Sequence, residues 1–169
     1  MNGQRSRGFT LIEVLVSLVV LSIGLLGTAK LMLFSSRAND SAYLRTQATA
    51  LAYEMLDNIR ANRQQAINGS YDTALTSAAA SPGFACVAAV VCTPPSLALY
   101  DVYQWKLRLN ASSGIAPAGA LPTGQGSVLT ATAAAQTTAV ITVSWDDTVA
   151  QSSFGPGIAT QSIVLETVL

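Results

Sequence analysis

The sequence contains no histidine. That side chain is the usual general base near neutral pH and the commonest nitrogen ligand to metals, so both chemistries lose their main instrument at once. Only two cysteines are present, too few to hold a structural zinc alone. Charged residues make up 11% of the chain, nine basic against nine acidic. A charge-rich disordered chain is therefore excluded, and no net positive field exists to hold nucleic acid. There is no Gly-rich phosphate loop, and the many serines have no histidine to activate them. These absences point away from an enzyme, a metal site or a cofactor. Proline is missing before Pro82, so nothing in the first 81 residues forbids a continuous helix.

What the chain has instead is apolar residues, half of the 169, with a mean hydropathy of +0.42. Its length suits one domain. The excess is concentrated from Phe9 to Phe34, where Val14–Ala29 carries no charge over sixteen residues. As a helix those sixteen cover about 24 Å, and extension to Leu11 and Leu33 reaches the roughly 30 Å of a bilayer core. Lys30 at one end can snorkel to the interface. Glu13 at the other is costly, because a carboxylate inside an apolar segment needs a partner or a proton. Arg5 and Arg7 are the only charges before the segment and hold that end in the cytoplasm, with the rest of the chain exported. A secretory signal peptide cut near Gly27-Thr28-Ala29 is a competing reading, and a plain single-span anchor is another. Glu13 opposes the first and is left unexplained by the second.

Arg5-Ser6-Arg7-Gly8 followed by Phe9-Thr10-Leu11-Ile12-Glu13-Val14 resembles the class III signal of type IV prepilins and pseudopilins. The resemblance implies a prepilin peptidase that cuts between Gly8 and Phe9 and methylates the new amino terminus on Phe9. It also implies a role for Glu13 in assembly, paired with the positive amino terminus of a neighbouring subunit, an arrangement that makes a buried carboxylate tolerable. The expected division is a leader over 1–8, a transmembrane and filament-core half-helix over 9–34, and a periplasmic head over 35–169. The mature chain keeps 161 residues and, without Arg5 and Arg7, a formal charge of −2.

Further segments are similar to minor pilins of the PilV type: Ser41–Ala48, Leu51–Met55, Arg60–Arg63, the cysteine pair, Trp105, Leu121-Pro122 and Val143–Asp147. That likeness implies a minor pilin, working with other minor pilins and the major pilin at the inner membrane. Such proteins prime type IV pilus assembly at the filament tip and support twitching motility and adhesion. A minor pseudopilin of type II secretion begins with a similar glycine, phenylalanine and glutamate pattern and is the alternative. A head that acts as an adhesin or DNA receptor is a third.

Leu44, Ala48, Leu51, Met55 and Ile59 recur at helical spacing, so helix is expected from near Phe9 to about Asn68, with Gly69 as its stop. Arg37, Arg45, Arg60 and Arg63 all fall on it, interleaved with Asp40, Glu54 and Asp57. Residues 70–95 read as loop. Within it, Cys86 and Cys92 are expected to form a disulfide in an exported domain, against the alternative of two buried thiols. Residues 94–110 are ambiguous. Tyr103, Trp105, Leu107 and Leu109 alternate as in a strand, whereas Thr93-Pro94 reads as a helix start, and the family resemblance favours helix. Trp105 is core in either case. Strands are expected over Ser127–Ala133, Ala139–Trp145 and Thr160–Val168. The fold class is α+β, a pilin-like long helix packed against a small antiparallel sheet. Asp146 and Asp147, at a strand end, are expected in a solvated turn; Asp72 and Asp101 complete the scattered acids.

Overall fold

The computed structural model describes residues 8–86, 92–110, 120–133, 136–148 and 160–169; Arg5 and Arg7 lie outside them. Helix α1 runs Leu11–Ala61, 51 residues and about 77 Å of rod. Thr10 caps it in an extended conformation, its hydroxyl accepting from the Glu13 N–H at 3.4 Å. The rod ends at Asn62 and not at Asn68. Asn62 leaves the helical region (φ −119°, ψ 44°) while its side-chain Nδ2 donates to the Pro94 carbonyl at 2.8 Å. This tie to a residue 32 positions away breaks the helix, so Arg63 begins a separate short helix α2, Arg63–Ile67. Gly69, at φ +76°, provides the left-handed stop just beyond it.

Residues Pro94–Leu109 form helix α3. The Thr93 side chain accepts from the Ser96 N–H, and the two prolines occupy opening positions where no N–H is needed. Strands β1 (Gln125–Ala133), β2 (Gln136–Asp146) and β3 (Thr160–Val168) make an antiparallel sheet in the order β1-β2-β3. Each contains the segment expected from alternation. Val128 pairs with Ile141, and Ile141 with Leu165, so one face gathers the branched side chains.

That face, together with α3, covers the stripe on α1. Ala48, Leu51, Ala52, Met55, Leu56 and Ile59 are buried against Trp105, Leu109, Val128, Ile141, Val143 and Trp145. Trp105 is the centre of the join: fully buried, it donates from Nε1 to the Leu51 carbonyl of α1 at 2.9 Å. Gly126 on β1 leaves the space for its ring, since a Cβ there would fall 2.3 Å from the indole Cη2. Gly124 is equally constrained by the Leu109 carbonyl, 2.2 Å from where a Cβ would stand.

The acidic residues do structural work. Asp147 is not in a solvated turn; it is 1% exposed and accepts from the Ser41 hydroxyl at 2.6 Å, tying the end of β2 to the middle of α1. Its neighbour Asp146 accepts from the Thr148 N–H at 2.8 Å, the local turn contact expected of the pair. Asp72 accepts from the backbone and hydroxyl of Thr130, both at 2.9 Å. Asp101 accepts from the Tyr71 hydroxyl at 2.9 Å, and burial pushes the Asp101 carboxyl above its ordinary value. Cys86 and Cys92 are joined by a disulfide, with 5.6 Å between their Cα atoms.

Candidate processing and assembly site

The amino-terminal region is built for a non-aqueous environment. Apolar side chains from Phe9 to Phe34 are exposed, Phe9 at 82% and Leu26 at 71%, and none of them belongs to the buried core of the head. This is the one helix among the described residues that is long and apolar enough to cross a membrane. Its hydroxyl side chains are satisfied locally. Ser17 donates to the Glu13 carbonyl at 2.7 Å, Ser22 to that of Val19 at 3.2 Å and Thr28 to that of Leu25 at 2.9 Å. In hydrocarbon such back-bonding removes the cost of an unpaired hydroxyl.

Gly8 and Phe9 precede the helix outside any regular structure, and both are exposed. Thr10-Leu11-Ile12-Glu13 has the spacing of a capping box, with Glu13 the single acid in the first turn. A carboxylate there complements the positive end of the helix dipole and stands one turn from Phe9. Gly8, Phe9 and Glu13 are thus brought together at one helix start, whereas Cys86 and Cys92 lie far along the chain in the head.

Comparison with known families fits this arrangement. Residues 3–29 match the prokaryotic N-terminal methylation motif. Residues 31–103 match the type IV pilin Tt1218 family. The two stretches adjoin and together span more than half of the chain. The chain belongs to the type IV prepilin family. Searches among curated proteins and among solved structures return no significant match. As a prepilin, the chain carries the signal that directs processing by prepilin peptidase and assembly with other pilins, and its apolar helix is consistent with membrane anchoring. Pilins are structural proteins. The long helix and three-stranded antiparallel sheet are the α+β pilin architecture.

Sequence reasoning missed Lys106. In the alternating pattern of residues 103–109 it falls on the polar side, yet it is only 6% exposed. On a helical wheel the signal was available, since Lys106 adjoins Ala98, Val102, Trp105 and Leu109 at steps of four, three and four. The roles of Gly124 and Gly126 carried no readable signal, because each is set by a distant element.

Proposed function

We propose that this prepilin is a minor pilin of the PilV type, which joins other minor pilins to prime type IV pilus assembly at the filament tip and so supports twitching motility and adhesion. The observation that carries the reading is the Gly8-Phe9…Glu13 signal running directly into an unpartnered apolar half-helix that bears a compact head. The chain enters the inner membrane with its amino end cytoplasmic and its head, from about residue 35, periplasmic. Prepilin peptidase removes residues 1–8 and methylates Phe9. Helix residues 9–34 then leave lipid for a bundle of like helices that includes the major pilin. In that bundle Glu13 pairs with a neighbour's methylated amino terminus, which compensates a carboxylate otherwise expensive in an apolar core. No catalytic role, cofactor or nucleic-acid partner belongs to this function.

Two measurements test it. Intact mass and amino-terminal sequencing of the protein from its native membrane should find a chain starting at N-methylated Phe9; a start near Lys30 or at Met1 overturns the processing step. Deletion should abolish surface pili and twitching. Lost export of secreted enzymes, with pili intact, would instead identify a minor pseudopilin of type II secretion, whose signal begins the same way.

A further inference from the structure

The two edges of the sheet are finished differently. On β1 the outward backbone groups are taken: Thr73 and Val128 exchange two backbone bonds, at 2.9 and 3.1 Å, and the Thr130 N–H donates to the Asp72 carboxylate at 2.9 Å. On β3 they are open. The Leu169 N–H donates to the Thr137 carbonyl at 2.8 Å, which fixes the phase of the ladder. Antiparallel pairing alternates, so Gln161, Ile163, Leu165 and Thr167 also turn their backbone N–H and C=O groups towards β2. Ser162, Val164, Glu166 and Val168 therefore turn theirs outwards, and no described strand meets them.

Sheet edges in natural proteins are blunted by proline, lysine, a bulge or a covering segment. Strand β3 has no proline and no basic residue, and its pairing with β2 runs from Thr160 to Val168 without a bulge. Its inward side chains Ile163 and Leu165 are only half-buried, whereas Ile141 beside them on β2 is fully buried. Val164 and Val168 on the other face are exposed. The core is thus unfinished on this side. An added strand would cover apolar surface on both faces and satisfy the outward backbone groups.

Charge and position say what fits. Glu166 is the only charge on β3, and among the described residues no cation pairs with it. An incoming strand with lysine or arginine opposite is favoured there, and one with a carboxylate is repelled. None of β1, β2 and β3 contains lysine or arginine, so the sheet of a second copy cannot answer Glu166. The edge begins at Thr160, which pairs with Asp146 next to the Ser41–Asp147 contact, at the end of the head nearest the apolar half-helix. A subunit bundled on that half-helix is tethered beside the edge, which raises the effective concentration of its strands.

We propose that the open edge of β3 is a strand-addition site for an extended segment of a different pilin, with lysine or arginine set against Glu166. That the partner is a pilin rests on the assembly role proposed above; the edge and its charge preference do not.

Hydrogen exchange on the full chain in detergent micelles tests the edge residue by residue. In the chain alone, the amides of Val164 and Glu166 should exchange more than about a hundredfold faster than those of Ile163 and Leu165. The probe is the synthetic peptide acetyl-Thr-Val-Thr-Val-Lys-Val-Thr-Val-Thr-amide, set against its counterpart with glutamate at the centre. Saturating lysine peptide should slow Val164 and Glu166 by about tenfold or more. The glutamate peptide should bind at least about threefold more weakly, and Glu166→Gln should remove that difference. Equal binding of the two peptides overturns the charge preference. No slowing by the lysine peptide, or outward amides already protected in the isolated chain at every concentration, overturns the site. Protection that grows with the concentration of the chain alone assigns the edge to a second copy and overturns a different pilin as its occupant. None of these readouts involves pili, so failure of the edge leaves the minor-pilin reading standing, and normal pili after deletion would leave the edge standing.

Discussion

One helix serves two solvents. Over Leu11–Ser36 every side chain of α1 is exposed, whereas Ala48, Ala52, Met55 and Ile59 later in the same helix are completely buried. The residues that α1 gives to the buried core all lie beyond this first half. Its backbone hydrogen bonds are internal and its hydroxyls fold back on their own backbone, so apart from Glu13 and Lys30 it asks little of a medium that offers no partners. The second half is incomplete by itself, a stripe that is stable only because α3 and the sheet cover it. Length alone would suggest a uniform rod. The difference between its halves shows that continuity of backbone and continuity of stabilisation are separate properties.

Substitutions can break or sharpen that contrast. The largest effect is expected at Trp105→Ala, which empties the space between α3, β1 and α1 and leaves the Leu51 carbonyl without its indole donor; a loss of about 3–5 kcal/mol should appear in thermal unfolding followed by circular dichroism. Replacing Cys86 and Cys92 by serine opens a loop with a sequence separation of 6 and should cost about 2 kcal/mol in the same assay. Gly126→Ala forces a methyl into the Trp105 ring and is expected to cost about 1–3 kcal/mol, read as a lower melting temperature. A smaller, signed effect comes from Lys106. The folded chain holds that proton less firmly than the unfolded chain, so stability should be flat below about 8 and rise towards 10.5, visible in melts taken across that range. Asp101 has the opposite sign: its raised carboxyl contributes stability at low pH that is lost as pH climbs through the folded value, and Asp101→Asn should remove that acid-range dependence. Smallest of all, Val19→Ala in the exposed half should move head stability by less than about 0.5 kcal/mol. A shift there as large as at Gly126 would mean the two halves are energetically one.

Much of this was legible beforehand because the deciding interactions were local. The methylation motif is one short contiguous stretch, the Leu44–Ile59 stripe follows helical spacing, and Thr93-Pro94 announces α3 from its own cap. The misreadings share a different origin. Asn62 ends α1 because of Pro94, Asp147 is buried because of Ser41, and Lys106 is buried because of Ala74 and Ser77, contacts 29 or more positions apart. In each case a polar residue that local rules assign to water or to a helix surface found a distant partner. The strand-like alternation around Trp105 was misleading for a related reason: any short helix with one broad apolar face repeats partly at every second residue.

The hydrogen bond between Ser41 and Asp147 has a mechanical consequence. It joins head to rod at the edge of the buried stripe nearest the apolar half, ahead of Leu51 and its indole. A pull along the axis of α1 from its amino end loads that bond in shear ten residues ahead of the Leu51 carbonyl that the indole holds. The head is therefore fastened at more than one station along the rod, and tension reaches the polar one before the indole.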